Sequence, residues 1–313
     1  MSLNKKVFLF LAIFLVIGCI ALVVLIKGRP APMNVNPLSS LKEDQIGKIV
    51  IKTPSLTLTL QQDEDEWKIM EPIQDEIDMN VLDQILKAFQ EFSVESVISE
   101  NKEKYPQFEL IEGEARRLQV FEKGSDVPLL DGFFGKRANL GYGSSYFRFT
   151  DQDPVHLVTG FPLYHLQRTS NDFRQKQILS QEVDQLLKMK FEIQNGSLEL
   201  VPSSSTWANA QTGEKVTEDW VKNLKAKIRS LRAMGFDDEK EKSKDRGFDK
   251  PILIVTLEGP DKKTTLKIGN LIEPVDDEKP EKRYAQKEGR DAILLLQDNT
   301  VVGFLAHLSQ VMK

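Results

Sequence analysis

Ile49 to Lys52 and Leu56 to Leu60 alternate, or nearly alternate, between apolar and polar residues, with Thr53-Pro54-Ser55 between them. A period of two on both sides of a proline turn predicts a β-hairpin. After Asp78 the period changes. Val81, Leu82, Ile85, Leu86, Phe89 and Phe92 recur at steps that place them on one face of an α-helix, and Asp78 is suited to cap it. Aromatic residues at that spacing are read as core. The pattern then returns to strands at Leu118, Val120 and Leu129 to Phe134, followed by Tyr146-Phe147-Arg148-Phe149 and Val155-His156-Leu157-Val158. Pro72 to Ile77 reads as irregular, and the acidic run Asp63-Glu64-Asp65-Glu66 reads as a solvated turn because it lacks the spacing and central glycine of a calcium loop.

The same design occurs a second time. Asp44-Gln45-Ile46-Gly47-Lys48 returns as Asp184-Gln185-Leu186-Leu187-Lys188 and Trp67 as Trp207, at a shift of 140 residues, and Ser55-Leu56-Thr57-Leu58 returns as Ser197-Leu198-Glu199-Leu200 at a shift of 142. Asp78 returns as Thr217, ahead of Trp220, Val221, Leu224, Ile228 and Leu231. Ile252 to Leu257 and Thr265 to Ile268 repeat the later strands, with Gly269 in the place of Gly135 and the Val120–Gly135 interval matching Ile254–Gly269. Arg283 to Ala285 and Ala292 to Leu296 complete the second meander, and Gly303 to Met312 predicts a closing helix. A sustained shift marks an internal duplication of domain-sized units. Phe161 to Leu179, including Asp172-Phe173-Arg174-Gln175-Lys176, reads as a bridge between the copies, and Asp237 to Asp249 and Asp276 to Arg283 read as solvated charged loops. The expected fold class is α+β: two tandem duplicated domains, each an antiparallel sheet with one packed amphipathic helix.

Ahead of the repeats, Val7 to Ile26 runs for 20 residues without a charge. That is enough to span a bilayer as a single transmembrane helix, and it is longer than the apolar part of a cleaved signal peptide. Val16-Ile17-Gly18-Cys19 resembles a lipobox that would lipidate Cys19, but the run stays apolar to Ile26, which favours an uncleaved anchor. The organisation read from the sequence is a tail over 1–6, an anchor over 7–26, a proline-containing linker over 27–41, a first repeat over 42–170 and a second over 171–313. Lys5 and Lys6 stand on one side of the run, Lys27 and Arg29 on the other, so charge alone leaves the orientation near a tie. A short amino-terminal tail favours extracytoplasmic soluble domains on a bacterial inner membrane.

The chain has 313 residues and a net charge of −5. Its first 30 residues contribute +4, which leaves −9 on the remainder and argues against nucleic acid as a partner. The single cysteine excludes an intramolecular disulfide. His156, His165 and His307 lack neighbouring ligands at zinc spacing, and each reads as a structural or surface histidine. Gly141-Tyr142-Gly143-Ser144-Ser145-Tyr146 lacks both the third glycine and the following helix of a phosphate loop, and reads as a hairpin tip. No catalytic, cofactor-binding or metal-binding residue is assigned.

The order of these features resembles the bacterial family known as domain of unknown function 4340. The residues that carry the likeness are the anchor, the Ser55-Leu56-Thr57-Leu58 hairpin, Trp67-Lys68-Ile69 followed by Pro72 and Ile77-Asp78, the amphipathic helix, Gly135 after paired strands, and Tyr146-Phe147-Arg148 before Val155 to Val158. Tyr105-Pro106-Gln107-Phe108-Glu109-Leu110 departs from the usual aromatic-glycine-leucine signal of that segment. The resemblance implies no established activity. It implies genes lying beside ABC-2 type export permeases, their ATPases and an auxiliary envelope protein. The expectation is a non-enzymatic accessory subunit of an envelope ABC export system. The alternatives are an envelope hydrolase with a carboxylate pair between the repeats, or a structural tether.

Overall fold

The computed structural model describes residues 35–38, 42–141, 143–179, 183–204, 206–239, 245–272 and 281–312. The anchor Val7 to Ile26, Cys19, most of the linker and part of the Asp276–Arg283 loop lie outside these residues. Among the described residues no helix is long and apolar enough to cross a membrane.

Among the described residues eighteen strands and five α-helices follow in two rounds of one pattern. The first round comprises β1 (Ile46–Thr53), β2 (Leu56–Asp63), β3 (Glu66–Glu71), β4 (Asp75–Glu76), α1 (Met79–Glu91), β5 (Ser93–Ser99), α2 (Tyr105–Phe108), β6 (Arg116–Glu122), β7 (Pro128–Arg137), β8 (Ser145–Phe149) and β9 (Val155–Thr159). A short α3 (Ser170–Phe173) follows. The second round comprises β10 (Lys188–Ile193), β11 (Gly196–Ser203), β12 (Thr206–Asn209), β13 (Lys215–Val216), α4 (Glu218–Ser230), β14 (Gly235–Asp237), β15 (Leu253–Glu258), β16 (Lys263–Leu271), β17 (Lys282–Lys287), β18 (Ile293–Gln297) and α5 (Asp298–Leu308).

The two sheets have the same strand order. The first is β4-β3-β2-β1-β6-β7-β8-β9-β5 and the second β13-β12-β11-β10-β15-β16-β17-β18-β14, so each copy is a nine-stranded sheet with a helix inserted between its fourth and fifth strands. The resolved pairings are antiparallel, and the duplication holds at the level of register: Ile51 faces Leu58 in the first copy, and Phe191 faces Leu198 in the second. The chain is an α+β protein with an internal duplication.

Both caps form as the sequence predicts. The Asp78 carboxylate accepts from the Asn80 N–H at 3.1 Å, and Thr217 Oγ1 accepts from the Trp220 N–H at 3.3 Å.

By contacts the chain divides into two compact units, one holding residues up to Glu64 with Asp83–Arg168, the other holding Asp65–Leu82 with the residues from Thr169. The first unit has a phenylalanine core. Phe92 lies edge-on to Phe147 at 5.7 Å, Phe134 meets Phe147 at 4.9 Å and Phe161 at 5.3 Å, and Phe89 stacks on Phe161 at 5.4 Å. A smaller cluster of Leu110, Ala115, Phe133 and Val155, with Tyr105 and Phe108 against it, completes this unit. The second unit is mainly aliphatic, with Leu224 and Ile228 of α4 and Val301 and Phe304 of α5 packed among residues of the second sheet.

Several expectations need correction. Pro72 to Ile77 contains β4, because Asp75 and Glu76 pair with Ile69 and Lys68. The edge strands β5 and β14 were not read from the sequence. The closing helix is Asp298–Leu308 rather than Gly303 to Met312, and it buries Val301, Phe304 and Leu308. The equal spacing of Val120–Gly135 and Ile254–Gly269 is a coincidence. Ile51 pairs with Leu118 while its equivalent Phe191 pairs with Val255, so the β6–β7 hairpin is three residues longer than β15–β16. The loop after β14 is only partly solvated: the Asp237 side chain is 7% exposed and pairs with Arg246, whose carbonyl accepts from the Asn270 N–H at 2.9 Å.

Gly135 and Gly269 are nonetheless true equivalents. A Cβ at Gly135 would lie 2.0 Å from the Phe108 carbonyl oxygen, and one at Gly269 would lie 2.0 Å from the Arg246 carbonyl oxygen. In each copy the next residue is left-handed: Glu109 at φ 57° and Gly247 at φ 76°. Glu109 therefore occupies a position that glycine fills in the second copy, and that is the physical content of the departure at Tyr105 to Leu110.

Candidate functional site

The most concentrated polar chemistry lies in the second unit, around Asp75. The β3–β4 hairpin places the Asp75 carboxylate where its side chain is 1% exposed. Arg290 engages it with two bonds, Nε to Oδ1 at 2.6 Å and Nη2 to Oδ2 at 2.9 Å. Arg174 donates Nε to Oδ2, and its Nη1 reaches both Asp238 oxygens at 2.8 Å. Both arginine side chains are 2% exposed. The Phe236 ring lies 3.6 Å from the Arg174 guanidinium carbon and 5.3 Å from that of Arg290. Lys287 binds both oxygens of Glu76 at 2.9 and 3.0 Å.

Backbone pairing builds this cluster. The segment after α3 lies antiparallel to the outer side of β4, with Ile77 opposite Arg174. The Gln175 N–H donates to the Glu76 carbonyl at 2.9 Å, and the Asp78 N–H donates to the Phe173 carbonyl at 2.7 Å. The Gln175 carbonyl accepts from Arg290 Nη1 at 2.9 Å. Sequence places these groups only in stretches read as irregular (Asp75 and Glu76), as a bridge (Phe173, Arg174 and Gln175) or as a solvated loop (Asp238), and does not single out Arg290 or Lys287. Asp75 lies 99 residues from Arg174 and 215 from Arg290, so no linear spacing announces the cluster.

Burial alone would raise the Asp75 carboxyl. The hydrogen bonds and charges of Arg290 and Arg174 outweigh it and hold the pKa below the ordinary carboxylate range. A carboxylate held ionised in this way, with each oxygen accepting from a guanidinium, is poorly suited to donate a proton. Asp131 in the first unit behaves alike: burial raises it, and Arg117, with Gln119 and Thr150, brings it below its usual value.

The histidines do not come together. His156 on β9 is 3% exposed and sits 5.6 Å from the Phe149 ring, with no partner for either ring nitrogen among the described residues. Among these residues it is therefore buried without the hydrogen bonds expected of a satisfied structural histidine. His165, 2% exposed, lies against Tyr164 and Phe161, and its Nδ1 has no partner among the described residues. His307 of α5 stacks on Trp220 at 4.6 Å, and its Nε2 lies 3.1 Å from the Trp220 carbonyl oxygen. Among the described residues no group of three or more His, Cys, Asp or Glu is placed to hold a metal ion.

The second unit also carries an open pocket of about 590 Å³ at the corner formed by β13, the start of α4 and the β10–β11 turn. Asn209, Glu214, Lys215, Thr217, Trp220 and Met312 are among the residues that line it.

A family model described as Domain of unknown function (DUF4340) matches residues 67–236, more than half of the chain. The chain belongs to this family. The matched stretch runs from Trp67 through Asp75 and Arg174 to Phe236, so it includes most of the buried cluster but not Arg290 or Asp238. No curated protein and no solved structure matches the chain.

Proposed function

We propose that this chain is a non-enzymatic, membrane-anchored interaction subunit of a bacterial envelope ABC export system. The run Val7 to Ile26 is its single inner-membrane span, and the soluble domains are extracytoplasmic. The observation that carries the anchor is how closely the folded chain begins behind that run. Val35 exchanges backbone bonds with Val94 at 3.2 and 3.0 Å, the Asn36 amide donates to the Phe89 and Gln90 carbonyls at 3.1 Å, and Leu38 is fully buried. Nine residue steps separate Ile26 from Val35, a reach of at most about 30 Å. An uncharged run of spanning length followed by so short a connection suits a unit held at a membrane surface. The export-system part rests on the gene neighbourhood that the family resemblance implies.

The test is to solubilise the tagged full-length chain from its native membrane in mild detergent and identify what accompanies it. An ABC permease and its ATPase at near-equal stoichiometry is the expected result. A chain that emerges alone from cells expressing the transporter overturns the accessory role. A chain that is recovered without detergent overturns the anchor.

A further inference from the structure

The duplication supplies its own template for a docking site. Lys68 pairs with Glu76 on β3–β4, and Ala208 pairs with Lys215 on β12–β13, so Asp75 and Glu214 are equivalent positions, as are the caps Asp78 and Thr217. The outer side of β4 is occupied by Phe173, Arg174 and Gln175, which bond to the Glu76 carbonyl and the Asp78 N–H. The equivalent groups on β13 are the Lys215 carbonyl and the Thr217 N–H. Among the described residues β13 pairs with β12 alone and is the end strand of its sheet. Where Asp75 is sealed beneath two guanidinium groups, Glu214 is exposed and lines the open pocket. Trp220, which lines the same pocket at 8% exposure, has an indole N–H without an acceptor among the described residues.

We propose that β13 and this pocket receive an extended segment of a partner protein, added as a strand antiparallel to Lys215–Thr217, with an arginine of that segment placed on Glu214. This deepens the interaction-subunit reading above and rests on it. Strand addition provides main-chain bonds of little sequence preference, and the pocket beside the strand selects the side chain. Arginine is the residue the template names, because Arg174 of the segment beside β4 donates to the Asp75 carboxylate.

The test uses the full-length chain in its native membrane, with a photo-reactive benzoylphenylalanine at position 215. Illumination is expected to attach it to a partner segment carrying an arginine within about two residues of the linkage, the offset at which adjacent strand positions meet. Glu214→Arg is expected to lower the adduct yield at least about tenfold, the effect of a like-charge contact in place of a paired one. Glu214 and Lys215 are both exposed, so thermal melting of both variants should match the parent. A chain that co-isolates with a partner yet gives no adduct at 215 overturns this inference and leaves the interaction-subunit reading standing. An adduct that is indifferent to Glu214→Arg, or that maps to a segment without a basic residue, also overturns it. A chain without any partner in the detergent extract removes both.

Discussion

At the scale of single residues, the chain places strong charges and histidine rings where water does not reach, and their energetics follow from burial. Asp75 is the extreme case. Its two guanidinium partners are as buried as it is, so truncating the carboxylate leaves two confined cations facing each other. Asp75→Ala is expected to destabilise the second unit by about 3–5 kcal/mol, measured by urea unfolding, whereas removal of the exposed, solvent-screened Lys102–Asp153 pair should leave the unfolding midpoint nearly unchanged. His165 sets a pH dependence instead. Burial, with a smaller contribution from Arg168, lowers its pKa to about 4 from the usual 6.5. The unfolded chain therefore takes up a proton near pH 6.5 that the folded chain refuses until about pH 4. Stability is full above the higher value and is lost progressively as pH falls toward the lower, on the order of 3 kcal/mol in all. His156 is lowered by burial and works in the same direction. Unfolding midpoints should fall between about pH 7 and about pH 5, and His165→Phe should flatten that slope. An unchanged slope in the variant would assign the dependence to other groups.

At the scale of elements, what the sequence reveals depends on whether the signal is local. Helix α1 and helix α4 were legible because a cap and a one-sided apolar face both lie within a dozen residues. The β1–β2 hairpin was legible because its turn contains Pro54. Strand β5 was not, because Ser93–Ser99 is a half-buried edge whose pattern of exposure is irregular and whose pairing with β9 is interrupted by bulges. Strand β14 is three residues long and offers no period at all. The extra length of the β6–β7 hairpin was hidden because two shifts happened to compensate over the interval compared. The Gly135 and Gly269 equivalence was visible in sequence, but its reason was not: in each copy a distant backbone carbonyl fills the space of the missing side chain. Gly269→Ala is expected to destabilise by about 1–3 kcal/mol or more, because a carbonyl within a backbone-bonded loop must yield rather than a flexible side chain. Gly289→Ala, where nothing lies within 4 Å, lacks that collision and meets only the cost of a left-handed backbone, about 1 kcal/mol. Thermal or urea unfolding of the two variants side by side compares the two causes, and equal losses would mean that the Arg246 carbonyl yields at no more cost than a left-handed backbone.

At the scale of the whole molecule, the repeat of sequence and the compact unit of structure are different sets of residues. The repeat read from the 140-residue shift runs through 42–170, while contacts group Asp65–Leu82 with the chain from Thr169 onward. The reason is the Asp75 cluster, whose arginines come from Arg174 and Arg290, and the pairing of Ile77 with Arg174. A comparison of the two copies could not reveal this, because the cluster is not duplicated: the second copy has Glu214 and Lys215 at these positions. A fragment ending at residue 170 is therefore expected to leave Asp75 and Glu76 without their cations and β4 without its outer partner. In such a 42–170 fragment, backbone amides from about 66 to 78 should exchange with solvent much faster than in the full chain, while those of β7 and β8, which belong to the first unit's own phenylalanine core, should keep most of their protection. Hydrogen exchange read by mass spectrometry decides it. Equal protection of residues 66–78 in fragment and full chain would mean that the β3–β4 hairpin is held by its own sheet alone and that the arginine cluster contributes little to its order. Selective loss there would show that the first copy of the duplication depends, for its end strand, on residues that follow it in the chain.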